Sequence, residues 1–247
     1  MSDSRTVGRL VAAAARTHLR PLGFRPQGRR RLWYDDRGWS LVLVEFQSGR
    51  TPGVYLDVGL MWLWNEHEHW AFDEGSRVHW RSDGSFSGDS PPGEPGWTQH
   101  VTFRAADDFA DEMTTVARIA GQRAVQLREQ FPDVGTTADR LSTRHVRPAE
   151  SRLRLAFDGG AAAALHGDAS TAARCWQAIA SADDRLFVSW EHTLKHRAEQ
   201  LLDLADDPAA LQNEVVRSVH RSRQLLGLPT SAISVTCPVR PADRTAF

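Results

Sequence analysis

The run Asn65-Glu66-His67-Glu68-His69 sets two imidazoles and two carboxylates within five residues. These are side-chain types that bind zinc and other divalent ions, provided three or four ligands converge from more than one segment. His79 and His100 are the residues available to complete a set begun by Glu66, His67 and His69. A metal there would point to a metal-dependent hydrolase. Without one, the same run is a solvated loop of mixed charge. The pattern is not the helix-borne His-Glu-x-x-His of metalloproteases, and Cys175 and Cys237, the only cysteines, are too few to make a thiolate site or a disulfide framework by themselves.

Glu45, Tyr55 and Asp57 form a second set, because neighbouring carboxylates split their pKa values and so serve as acid and base. The competing reading has them bonded to Gln47, to an arginine or to loop backbone. No glycine-rich phosphate loop, nucleophile elbow or Cys-His pair accompanies them, so the reading leans away from an enzyme and expects no cofactor.

A third set is basic. Arg25, Arg29, Arg30 and Arg31, beside Trp33 and Tyr34, suit a phosphate backbone with stacked bases. They equally suit pairing with Asp35, Asp36, Asp73 and Glu74, and a net charge of -1 favours the pairing. Seven of the nine tryptophans lie between Trp33 and Trp97; Trp62 and Trp64 read as core, whereas Trp70, Trp80 and Trp97 flank a polar loop. Exposed aromatic residues beside arginine are typical of protein-contact hot spots. The alternative is that they cover the second face of a sheet.

The elements that must position these groups follow from periodicity. Ser4 caps a helix with Val7, Leu10, Val11, Ala14, Ala15 and Leu19 on one face, ended by Pro21 and Gly23. Arg31 to Asp35, a turn at Asp36-Arg37-Gly38, and Trp39 to Gln47 predict a hairpin; Val54 to Trp64 predicts a third strand. Alternation puts Val54, Leu56, Val58, Leu60, Trp62 and Trp64 on the core side and Tyr55, Asp57, Gly59 and Met61 on the other. Val42, Val44 and Phe46 likewise oppose Leu41, Leu43, Glu45 and Gln47, so antiparallel pairing would gather Glu45, Gln47, Tyr55 and Asp57 on the less apolar side.

Residues 65–96 read as irregular, with a return strand at Trp97 to Phe103. A long helix then starts at Asp107 and Asp108 with Phe109, Met113, Val116, Ala117, Ala120, Ala124, Leu127 and Phe131 on its buried stripe, and Pro132 stops it. Residues 133–152 read as a link and 153–230 as a helical subdomain. Within that subdomain His166-Gly167-Asp168 is a turn between helices, further helices surround Phe187 to Leu202 and follow Pro208, and a tail covers 231–247. The helices resemble a tetratricopeptide-style hairpin, without a period that would make a repeat array.

Composition sets outer bounds. At 247 residues with 41% hydrophobic and 25% charged residues, the chain is expected to be globular. Charge is polarised near the start: residues 1–31 carry eight arginines against Asp3, and residues 32–75 carry eight acids against Arg37 and Arg50. Lys195 is the only lysine, a bias of GC-rich bacterial genomes. Arg9 and Arg16 interrupt and close the apolar run from Val7 to Ala15, so a signal peptide is not expected; with no apolar window of membrane-spanning length, a cytoplasmic location is.

Leu19-Arg20-Pro21-Leu22-Gly23-Phe24-Arg25, then Gln47-Ser48 at a strand end and Tyr55-Leu56-Asp57-Val58-Gly59, resembles the bacterial domain-of-unknown-function 4304 family over the first half of the chain. Asp57 stands where that pattern has Asn, and Arg20 where it has Lys. The resemblance implies an α-helix followed by antiparallel strands and brings no activity with it. The expected fold is therefore α+β: a helix and an antiparallel sheet backed by the long helix over 1–132, then the helical subdomain. The expected function is non-catalytic binding of a protein partner, or a homo-oligomer, as an accessory or toxin-neutralising protein. The surface expected to do this comprises Glu45, Gln47, Tyr55, Asp57, Trp70, Trp80 and Trp97.

Overall fold

The computed structural model describes residues 2–28, 31–88, 94–147 and 150–229. It is an α+β protein whose chain divides into two compact units. Among the described residues, one unit takes in the chain up to Met61 together with Ala71–Glu129; the other takes in Trp62–Trp70 and residues 130–229.

The first unit begins with helix α1 (Ser2–Leu19). Val7, Val11, Ala15 and Leu19 are buried at four-residue spacing, which makes one apolar stripe. A 3-10 turn over Arg20–Leu22 follows, and Gly23 at φ 89° closes it. The sheet holds β1 (Arg25–Pro26), β2 (Leu32–Asp36), β3 (Ser40–Ser48), β4 (Gly53–Trp62) and β5 (Glu74–Arg77) in that spatial order. The return strand β8 (His100–Thr102) pairs with Gly53, Val54 and Tyr55, and β5 pairs with Asp57 through Leu60, so both lie along β4 at successive positions. A two-stranded piece, β6 (His79–Trp80) with β7 (Phe86–Ser87), lies in the segment read from sequence as irregular.

The β2–β3 hairpin turns where expected, with the Asp36 carboxylate accepting from the Gly38 amide at 3.0 Å. Gly59 and Gly75 face each other across β4 and β5 because nothing larger fits: a Cβ on Gly59 would lie 2.2 Å from the Glu74 carbonyl oxygen. Burial departs from the expected alternation. Val42, Val44, Phe46, Val54, Leu56 and Val58 are buried as predicted, but so are Leu41, Leu43 and Met61, so both faces are covered over much of β3 and the end of β4.

Helix α2 (Ala106–Gln130) buries the predicted stripe. It is fixed to β2 by a buried ion pair: Arg128 Nη2 lies 3.0 Å from Asp35 Oδ2 and donates to the Leu22 carbonyl at 2.9 Å, with its guanidinium over the Phe24 ring. Asp35 thus pairs with Arg128, and more distantly with Arg37.

The second unit is helical. The segment read as a link carries α3 (Val134–Thr143), whose N-cap Asp133 accepts from the Thr136 amide at 2.7 Å. Around α4 (Arg152–His166) pack α3, α5 (Ala169–Ala180), α6 (Ser189–Leu202) and α7 (Pro208–Leu225). Phe157 through Leu165 are buried without a polar stripe, as befits a helix surrounded by others. Gly160 lets the Trp176 indole lie against the α4 backbone, since a Cβ there would meet Trp176 Nε1 at 2.5 Å. Gly167 at φ 95° ends α4 and Asp168 caps α5, the turn expected at His166-Gly167-Asp168. The strand expected to continue to residue 64 ends at Trp62, and Trp64 lies in a 3-10 turn; both tryptophans are counted with this unit, where they stack at 5.2 Å with Phe131 edge-on to Trp62. The tail over 231–247 lies outside the described residues.

Candidate functional site

Three of the four polar residues expected on one sheet face do meet. The organiser is Arg77, which the sequence reading did not single out. Arg77 pairs opposite Asp57 in register, its Nε donating to Asp57 Oδ1 at 2.9 Å and its Nη2 to Oδ2 at 3.2 Å. The same Nη2 donates to Gln47 Oε1 at 2.6 Å, and the guanidinium lies over the Tyr55 ring with 4.3 Å to the centroid. His100, opposite Tyr55 in β8, continues the array with ring centroids 4.5 Å apart. Burial first, then the Arg77 charge, pushes the His100 pKa below its ordinary value, so the ring is neutral at pH 7 and stacks without a charge of its own. Glu45 is half-buried opposite Leu32 in β2.

The expected aromatic surface is redistributed. Trp80 is buried at 5% exposure, contrary to its expected place beside a solvated loop. Its backbone pairs with both Phe86 and Thr98, so Trp80 sits between two neighbouring segments instead of at a free loop. Trp97 is half-buried under Arg81, 4.7 Å from its centroid, and Trp70 is half-buried in the other unit.

The expected metal set does not assemble among the described residues, where no group of three or more His, Cys, Asp or Glu is placed to hold an ion. His67 and His69 have ring centroids 6.2 Å apart, while His79 and His100 belong to the first unit. Glu66, at φ 53°, is engaged elsewhere. Arg221 donates to it with Nε at 2.8 Å and Nη2 at 2.6 Å, and Ser218 Oγ at 2.7 Å. Burial works against its charge, but these donors and Arg197 outweigh it and hold the carboxyl below its ordinary value. Of the basic segment, Arg29 and Arg30 lie outside the described residues. Arg31 is half-buried near Gly8, and burial depresses its pKa.

The second unit also holds a cavity of about 570 Å³. Its apolar wall is Trp64, Phe157, Trp190 and Leu194, and its cationic wall is Arg154, Arg197 and Arg221. Trp64 is fixed by donating its Nε1–H to Asp158 at 3.0 Å in a buried setting. Arg197 bridges Glu66 at 3.7 Å and Glu214 at 2.5 Å, while Arg217 also pairs with Glu214 at 2.5 Å. Glu214 is held down to about 2: burial opposes the charge, but hydrogen bonds from Arg197 and Arg217 prevail. The side-chain oxygen and nitrogen of Asn65, in the same wall, are shut off from solvent with no partner. Periodicity could not reveal this cavity, because its residues come from four segments spread between Trp64 and Arg221.

No protein-family model matches the chain, and no curated protein or solved structure does.

Proposed function

We propose that the chain is a non-catalytic binding protein that meets a protein partner through the sheet face organised by Arg77. The observation that carries this reading is the joining of Gln47, Tyr55 and Asp57 through one guanidinium. Arg77 is held in one pose by a carboxylate, an amide and a ring, so little side-chain entropy remains to be lost on contact. Arginine and tyrosine are the residue types enriched where proteins touch. The same geometry disfavours acid-base work by Asp57, because both its oxygens already accept from Arg77. A bacterial, cytoplasmic accessory role and kinship with the domain-of-unknown-function 4304 family, through Gln47, Asp57 and Gly59, belong to the same proposal. Quantitative co-purification tests it. The wild-type chain should recover a stoichiometric partner that Tyr55→Ala, folded to the same extent, does not; equal recovery by both, or turnover of a substrate at this face, would count against it.

A further inference from the structure

We infer that the cavity in the second unit binds a small aromatic anion, with the acidic group on Arg154 and the flat body against Trp190. The charge balance of the wall is the first support. Arg197 and Arg221 in the wall, and Arg217 outside it, share two carboxylates, Glu66 in the wall and Glu214 outside it, which leaves one positive charge in excess. Arg154 adds a second, for it is half-buried in the wall, and no ion pair or side-chain hydrogen bond is recorded for it among the described residues. A guanidinium offers two parallel N–H donors that match a carboxylate or phosphate edge. Arg197 and Arg221 are braced by their carboxylates, so Arg154 is the arginine with donors to spare.

Aromatic surface at the opening is the second support. Trp190 is 45% exposed although it lines the cavity, and Leu186 and Val188, just before it in the chain, are 93% and 54% exposed. Three of the five large hydrophobic side chains found exposed among the described residues therefore fall within one five-residue stretch. An exposed tryptophan that lines a concave, partly charged site is what a ligand with a flat apolar body covers. A volume of about 570 Å³ lies within the range of small-molecule sites and is ample for a two-ring anion. Phe157 and Leu194 each follow or precede a wall arginine by one helical turn, Arg154 on α4 and Arg197 on α6, so apolar and cationic surface adjoin and one ligand can satisfy both.

Calorimetric titration of the full chain with 1-naphthyl phosphate, uncharged 1-naphthol and inorganic phosphate tests this. Binding of 1-naphthyl phosphate at 1:1, at least tenfold tighter than either other probe, is the expected result. Arg154→Ala should weaken it at least tenfold and bring it to the level of 1-naphthol, and Trp190→Ala should weaken it without abolishing the preference for the charged probe. Arg174→Ala, on an exposed position of α5, should leave it unchanged. Each variant is checked for an unaltered melting temperature; Trp190 and Arg154 both reach solvent, and if one alters folding, Arg154→Lys and Trp190→Phe replace them and should give intermediate affinities. No binding of 1-naphthyl phosphate at 1 mM, equal affinity for 1-naphthol, or unchanged affinity in Arg154→Ala would overturn the inference.

Discussion

Arg77 Nη2 lies within hydrogen-bond distance of both Gln47 Oε1 and Asp57 Oδ2, so one guanidinium ties a side chain at the end of β3 to one in the middle of β4. That link also fixes β5, a strand of only four residues. Arg77→Met should therefore cost about 1–2 kcal/mol, the value of charge-assisted hydrogen bonds at a partly exposed site. Amide hydrogen exchange should quicken in β5, while α1 stays protected. Denaturant melts combined with exchange would check both.

The buried pair of Asp35 and Arg128 makes a sharper stability prediction. Asp35→Ala removes the countercharge of a guanidinium that is 6% exposed, and should cost about 3–5 kcal/mol. Replacing both partners, as Asp35→Leu with Arg128→Met, should cost clearly less than the single change, because no charge is then left buried alone. Urea unfolding of the three variants would decide.

In the second unit, Glu66 and Glu214 titrate below their ordinary value of 4.5, Glu214 at about 2. A depressed carboxyl stabilises the fold fully above its unfolded pKa, and that stability is lost as pH falls from about 5 toward the folded value near 2. Unfolding free energy should thus decline steadily between these limits. In Glu214→Gln it should start lower at pH 7 and decline less steeply on acidification. A series of urea melts from pH 7 to pH 3 measures both slopes.

Trp64→Phe keeps the ring in the wall but removes the donor to Asp158, which is 3% exposed. The expected loss is about 1–3 kcal/mol for a weakened buried carboxylate. Far-ultraviolet circular dichroism should be unchanged while the thermal midpoint falls.

Much of the architecture was legible because its period is strong: the stripes of α1 and α2, the β2–β3 hairpin, and the Gly167-Asp168 turn all follow from local rules. Strand parity also gathered Gln47, Tyr55 and Asp57 correctly. It could not supply Arg77, which stands in a short strand containing Gly75 and Ser76, where no alternation can be read. Trp64 was misplaced because apolar alternation continues through residue 64, whereas the backbone leaves the strand after Trp62 into a 3-10 turn. Glu66 looked like a metal ligand only because its partners, Ser218 and Arg221, lie more than 150 residues away in sequence.

Photo-cross-linking from a benzoylphenylalanine introduced at Gln47, compared with the same probe at Glu112 on α2, addresses the binding face most directly, because Gln47 is exposed beside Arg77 and Glu112 is exposed on the helix. The account predicts one adduct of defined mass from Gln47, none from Glu112, and loss of the adduct when Arg77→Ala is added. No adduct from Gln47, or the same adducts from both positions, would contradict it.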